Sequence, residues 1–102
     1  MITVSETAIS AEPAVIMAGD YLNKIAGEKI EYECRRRLDE GHSTLVVDFS
    51  QTELVNSIGI SILLGIIDVA ASRGARVTFC DLNEQTIELF DMLGLTKHVD
   101  IQ

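Results

Sequence analysis

Ser57 lies in the stretch Asp48-Phe49-Ser50-Gln51-Thr52-Glu53-Leu54-Val55-Asn56-Ser57-Ile58-Gly59-Ile60, where a β-rich apolar run gives way to a long and still more apolar one. A hydroxyl at a strand-to-helix junction sits at the positive end of a helix. A phosphoryl group added to Ser57 would carry about -1.5 to -2 charges, meet free backbone N–H groups, and change any surface docked over the junction. By spacing alone the plainer use is favoured, with Asn56 or Ser57 serving as the cap of the helix that follows.

Other chemistry is thin. His42 and His98 are isolated, without HxxxH or HExxH spacing, and neither Cys34 nor Cys80 has a neighbouring His or Cys, so no metal site is expected. Both cysteines read as small hydrophobes. There is no GxxxxGK[ST], no GxGxxG opening a helix and no GxSxG elbow. Acidic pairs such as Asp39-Glu40 and Asp81 with Glu84 fall at helix edges, where solvated carboxylates are ordinary. The expectation is a protein without catalysis of its own, needing no cofactor.

The elements that must hold this junction fit one domain spanning residues 1–102. A chain of 102 residues, 47% hydrophobic and 24% charged, can bury a conventional core without disulfides. Eight Lys and Arg against sixteen Asp and Glu leave a formal charge of -8, which disfavours direct contact with nucleic acid or an anionic membrane. The opening MITVSETAIS has no basic or apolar leader region, and the apolar run from Ile58 to Ala71 is too short to span a bilayer. A cytoplasmic protein is expected.

Pro13 to Ala18 reads as a strand, with Ile2 to Val4 as a short edge beside it. From Asn23, the expected N-cap, the period changes. Ala26, Ile30, Cys34 and Leu38 recur at i+4 and form one apolar helical stripe, ended by Gly41. Arg35-Arg36-Arg37 falls in the last turns, where cations suit the helix dipole and nearby glutamates can pair with them.

Thr44 to Phe49 is the best candidate for a central strand, and Ile58 to Ala70 suits a helix of about four turns. In that helix Gly59 and Gly65 suggest close packing on a sheet. Ala75 to Cys80 is another strand, Asn83 caps a third helix closed by Gly94, and Leu95 to Gln102 docks as a last short element. The architecture is α/β: a small mixed sheet with helices packed on it. Surplus apolar surface on the long helix points to a monomer or weak homodimer.

Leu54 to Gly65, followed by Val77-Thr78-Phe79-Cys80 and Leu89-Phe90-Asp91-Met92-Leu93-Gly94-Leu95, resembles the STAS domain of anti-sigma-factor antagonists. Asp48-Phe49-Ser50 falls on that family's D-[LF]-S, and Asn56-Ser57-Ile58-Gly59-Ile60 on its D-S-[ST]-G-[LI]. The resemblance covers Ala14 to Ile101 and implies helices mainly on one face of the sheet. It also implies a partner, a serine-kinase-type anti-sigma factor, which phosphorylates the antagonist. Ser57 matches the phospho-acceptor. The contact would run through Asn23, Ser50, Thr52, Asn56, Ile58, Gly59 and Ile60. Asn56 replaces an acidic residue, Ile58 a second hydroxyl, and Asn23 an aspartate. The same fold also serves as a soluble subunit of membrane transport assemblies for lipids or anions, an alternative that needs no phosphorylation.

Overall fold

A computed structural model describes residues 13–102. The Ile2 to Val4 edge lies outside the described residues. The elements in chain order are β1 (Ala14–Met17), β2 (Tyr21–Leu22), α1 (Lys24–Asp39), β3 (Thr44–Asp48), β4 (Leu54–Val55), α2 (Ser57–Ser72), β5 (Arg76–Cys80), α3 (Glu84–Met92) and β6 (Asp100–Ile101). A 3-10 turn, Leu95–Lys97, precedes β6.

The main sheet has the order β1-β3-β5-β6, and β2 pairs with β4 in a separate two-stranded ribbon. All pairings among the described residues are parallel, with Ala14 opposite Leu45, Leu45 opposite Val77, and Phe79 opposite Ile101. This corrects the expectation of a mixed sheet for the described part. Each step between main-sheet strands passes through a helix, and such a crossover returns the chain in the same direction.

Alternation along the strands sets the faces. Ala14, Ile16, Leu45, Val47, Val77 and Phe79 are buried on one side, which carries α1 and α2, whereas Val15 and Met17 are exposed on the other. Helix α1 buries Ile30, Cys34 and Leu38 at the expected four-residue spacing, together with Gly27. Helix α2 buries Ile60, Leu63, Ile66, Ile67 and Ala70, one stripe of a segment apolar on most sides. Phe49, Phe79 and Phe90 meet edge to face with ring centroids 5.1 to 5.8 Å apart, tying α3 to the sheet and to the residue that opens the junction loop.

Local signals agree with these elements. Asn23, Asn56 and Asn83 are the N-caps, each accepting from the backbone N–H three residues on. Gly41 and Gly94 take the left-handed conformation where helices α1 and α3 end. The arginine run is paired as expected: Arg36 reaches Glu33 at 2.9 Å and Glu40 at 3.1 Å, and Arg35 reaches Glu31 at 3.3 Å.

Glycine packing differs from expectation. A Cβ at Gly59 would lie 2.6 Å from the Leu22 carbonyl oxygen, so β2 and α2 touch there through backbone. A Cβ at Gly65 would meet nothing within 4 Å, so Gly65 has no packing role. The second close approach is at Gly27, where a Cβ would lie 3.0 Å from Ile62 Cδ1 and set the spacing of α1 against α2.

Candidate functional site

The junction is built at the C-terminal ends of β1 and β3 and braced by the two-stranded ribbon. After β3 the chain turns at once. The Ser50 N–H donates to Asp48 Oδ1 at 2.8 Å, and the Thr52 N–H to the Phe49 carbonyl at 2.9 Å. The Ser50 hydrogen bonds hold the Asp48 carboxyl below its ordinary range, the backbone N–H contributing most.

Two further ties fix the loop to the β1–β2 connection. The Thr52 hydroxyl donates to the Gly19 carbonyl at 2.6 Å, and the Glu53 N–H to the Asp20 carbonyl at 2.8 Å. The Asn56 N–H donates to the Leu22 carbonyl at 2.9 Å, delivering the cap residue to the start of α2.

Between the two capping readings left open by the sequence, the structure assigns the cap to Asn56. Its Oδ1 accepts from the Gly59 N–H at 2.9 Å, and its amide nitrogen donates to the Tyr21 hydroxyl at 3.4 Å. Ser57 is therefore the first helical residue and is exposed. Its carbonyl accepts from the Ser61 hydroxyl at 3.1 Å, while its own hydroxyl has no hydrogen-bond partner among the described residues. The Ser57 and Ile58 N–H groups are likewise without protein acceptors there, as expected for the first turn of a helix.

The other expected contact residues fall into two groups. Ser50 and Ile58 are exposed, and Asn23 and Asn56 are half-buried with their side chains engaged in capping. Thr52, Gly59 and Ile60 are buried, so they shape the site from beneath and present no side chain to a partner. Gly59 lies against Leu22, Ile60 faces the core, and Thr52 spends its hydroxyl on Gly19.

An apolar rim extends beyond Ile58, the one of its residues that the sequence pointed to. Leu54 is 61% exposed, Ile58 53%, Ile25 64%, and Tyr21 also faces outward. Tyr21 and Leu54 are register partners on the outer side of the ribbon, with Leu22 and Val55 turned inward. A two-residue strand is too short to show alternation in a sequence, which is why these side chains read only as part of a loop.

The structure also gathers Asp48, Cys80 and Asp81, whose donor atoms all lie within 4.8 Å of one another. No spacing in the sequence signals this cluster, because β3 and β5 must first be paired. Burial and the two carboxylates push the Cys80 thiol upward, in keeping with an unreactive side chain. No helix among the described residues is long and apolar enough to cross a membrane.

The STAS domain family matches residues 9–102 of the chain. Among solved structures, the unphosphorylated form of the anti-sigma factor antagonist SpoIIAA is 16% identical, covers 89% of this chain and 79% of its own, and superposes with a TM-score of 0.70. The phosphorylated form of SpoIIAA, described as a Bacillus cell fate determinant, is 18% identical with a TM-score of 0.69, covering 89% of this chain and 83% of its own. The STAS domain of a SulP transporter from Vibrio cholerae is 20% identical with a TM-score of 0.75, covering 89% of this chain and 73% of its own. At these identities the likeness is one of fold. No curated protein sequence matches the chain.

Proposed function

The chain belongs to the STAS domain family, and from that membership we propose that it is a regulatory binding domain of the anti-sigma-factor antagonist kind, switched by phosphorylation of Ser57. The observation that carries this reading is the division of labour at the start of α2. Asn56 caps the helix, which leaves the adjacent Ser57 hydroxyl exposed and uncommitted. A serine with no structural duty, at a positive helix end and beside Tyr21, Leu54 and Ile58, is placed to be modified and to have that modification felt by a docked protein.

The unmodified surface binds a serine-kinase-type anti-sigma factor through Ile58, Ser50 and the exposed face of the ribbon, while Asn23, Asn56, Thr52, Gly59 and Ile60 hold that surface in shape. A phosphoryl dianion enclosed in such a contact without matched cations costs several kcal/mol, and about 1.4 kcal/mol is already tenfold in affinity. Phosphorylated Ser57 releases the partner.

The test is a pull-down from the native cell followed by intact-mass analysis of the bait. The expected result is a small histidine-kinase-like ATPase as partner and a phosphoryl group on Ser57 after incubation with that kinase and ATP. Unchanged partner binding by both Ser57→Asp and Ser57→Glu would count against the switch. Copurification with a permease and its ATPase would favour the alternative, a subunit of a membrane transport assembly. The fold likeness to the SulP domain keeps that reading in view, as does the loss of carboxylates at Asn23 and Asn56.

A further inference from the structure

We propose that the groove between the C-terminal half of α2, the start of β5 and the segment leading into β6 binds a small organic carboxylate. The groove holds about 280 Å³, and its lining includes Arg76, Lys97, His98 and Asp100 together with the buried side chains of Ile67 and Val77. That volume is near the lower end of small-ligand pockets, roughly 300 to 1,000 Å³.

Charge favours an anion here, although Lys24 and Lys29 on α1 are also without an ion-pair partner among the described residues. The whole chain carries -8 and repels anions at long range. Elsewhere its arginines are matched by carboxylates, those of α1 by Glu31, Glu33 and Glu40, and Arg73 by Asp39 at 2.8 Å. The side chains of Lys97 and His98 have no hydrogen-bond or ion-pair partner among the described residues. Arg76 holds one oxygen of the Asp100 carboxylate at 2.9 Å, and both side chains are largely exposed. The guanidinium is thus already oriented toward a carboxylate, and its remaining N–H groups can take another.

The apolar floor decides the rest of the ligand. An inorganic anion would leave Ile67 and Val77 unused, whereas a carboxylate with a short hydrocarbon body satisfies both floor and rim. Ile67 lies ten residues along α2 from Ser57, about 15 Å at the rise of an α-helix. This site therefore stands apart from the phosphorylation reading and does not depend on it.

The test uses hexanoate against hexanol, followed through backbone amide shifts of the full chain. Saturable shifts at Val77 and at Lys97 to Asp100 are expected below about 10 mM hexanoate, with hexanol at least about tenfold weaker. Arg76→Gln and Lys97→Gln should each weaken hexanoate about three- to tenfold. Asp100→Asn should tighten it, because it removes the carboxylate that competes for Arg76. Equal binding of hexanol, indifference to Arg76→Gln in a folded variant, weakening by Asp100→Asn, or shifts centred on Ser57 would each overturn the proposal. Should Arg76→Gln fail to fold, the hexanol and Asp100→Asn arms decide it.

Discussion

At the scale of single residues, adjacent side chains at the head of α2 do opposite work, and substitution separates them. Asn56→Ala removes the acceptor for the Gly59 N–H and is expected to cost about 1 kcal/mol of stability. Ser57→Ala removes a hydroxyl that bonds to nothing among the described residues, and should change stability by less than about 0.5 kcal/mol. Urea unfolding of the two variants checks the assignment of the cap. If Ser57→Ala were the costlier change, the hydroxyl would have a structural duty and the switch would lose its footing. Cys34 gives a second residue-level expectation. Burial on α1, aided by Glu33 and Glu31, pushes its thiol up to about 12, so iodoacetamide should leave it untouched at pH 8 in the folded protein and modify it after denaturation.

At the scale of elements, the two glycines of α2 look equivalent in sequence and part company once neighbours are present. Gly59→Ala drives a methyl group into the Leu22 backbone, forcing the ribbon away from the helix at a cost of about 1 to 3 kcal/mol. The same shift would move Tyr21 and Leu54 relative to Ser57, so partner binding should fall along with stability. Gly65→Ala meets open space inside a regular helix and should stabilise by about 0.5 to 1 kcal/mol. Thermal midpoints that moved in the same direction for both variants would contradict this packing.

At the scale of the whole molecule, pH stability follows from the sign of the shifts. The carboxyls of Asp48 and Glu33 are held below their ordinary values, the first by the Ser50 hydrogen bonds and the second chiefly by its hydrogen bond to Arg36. Groups of this kind contribute stability above the unfolded pKa, about 4, and that contribution is lost as pH falls through the folded value. Cys34, raised from 9.0 to about 12, acts in the other direction, its contribution intact below pH 9 and lost as pH rises toward 12. A thermal midpoint that is level from about pH 5 to 9 and falls on both sides is the expected profile. Screening of the arginine pairs of α1 by salt should cost little, because they are solvent-exposed and such pairs are worth about 0 to 1 kcal/mol each.

Much of this fold could be read without coordinates, because its signals are local. The i+4 stripe from Ala26 to Leu38, the asparagine caps at Asn23 and Asn83, and the glycines closing α1 and α3 each depend on a few adjacent residues, and the backbone obeys them in place, whereas the choice of Asn56 over Ser57 as the cap of α2 came only with the structure. The serine at the junction was legible for the same reason. What lay beyond the sequence needed two distant segments to meet. Tyr21 and Leu54 form a rim only when β2 pairs with β4, and Gly59 is indispensable only because Leu22 arrives there. Thr52 leaves the surface only by reaching Gly19, and Asp48 stands beside Cys80 and Asp81 only across paired strands. The sequence by itself determined which longer segments become helix or main-sheet strand and that a serine stands at the head of α2, since those outcomes rest on periodicity and capping within one turn. Tertiary structure alone decided which side chains stay in reach of a partner, because exposure depends on what the rest of the chain lays over each residue.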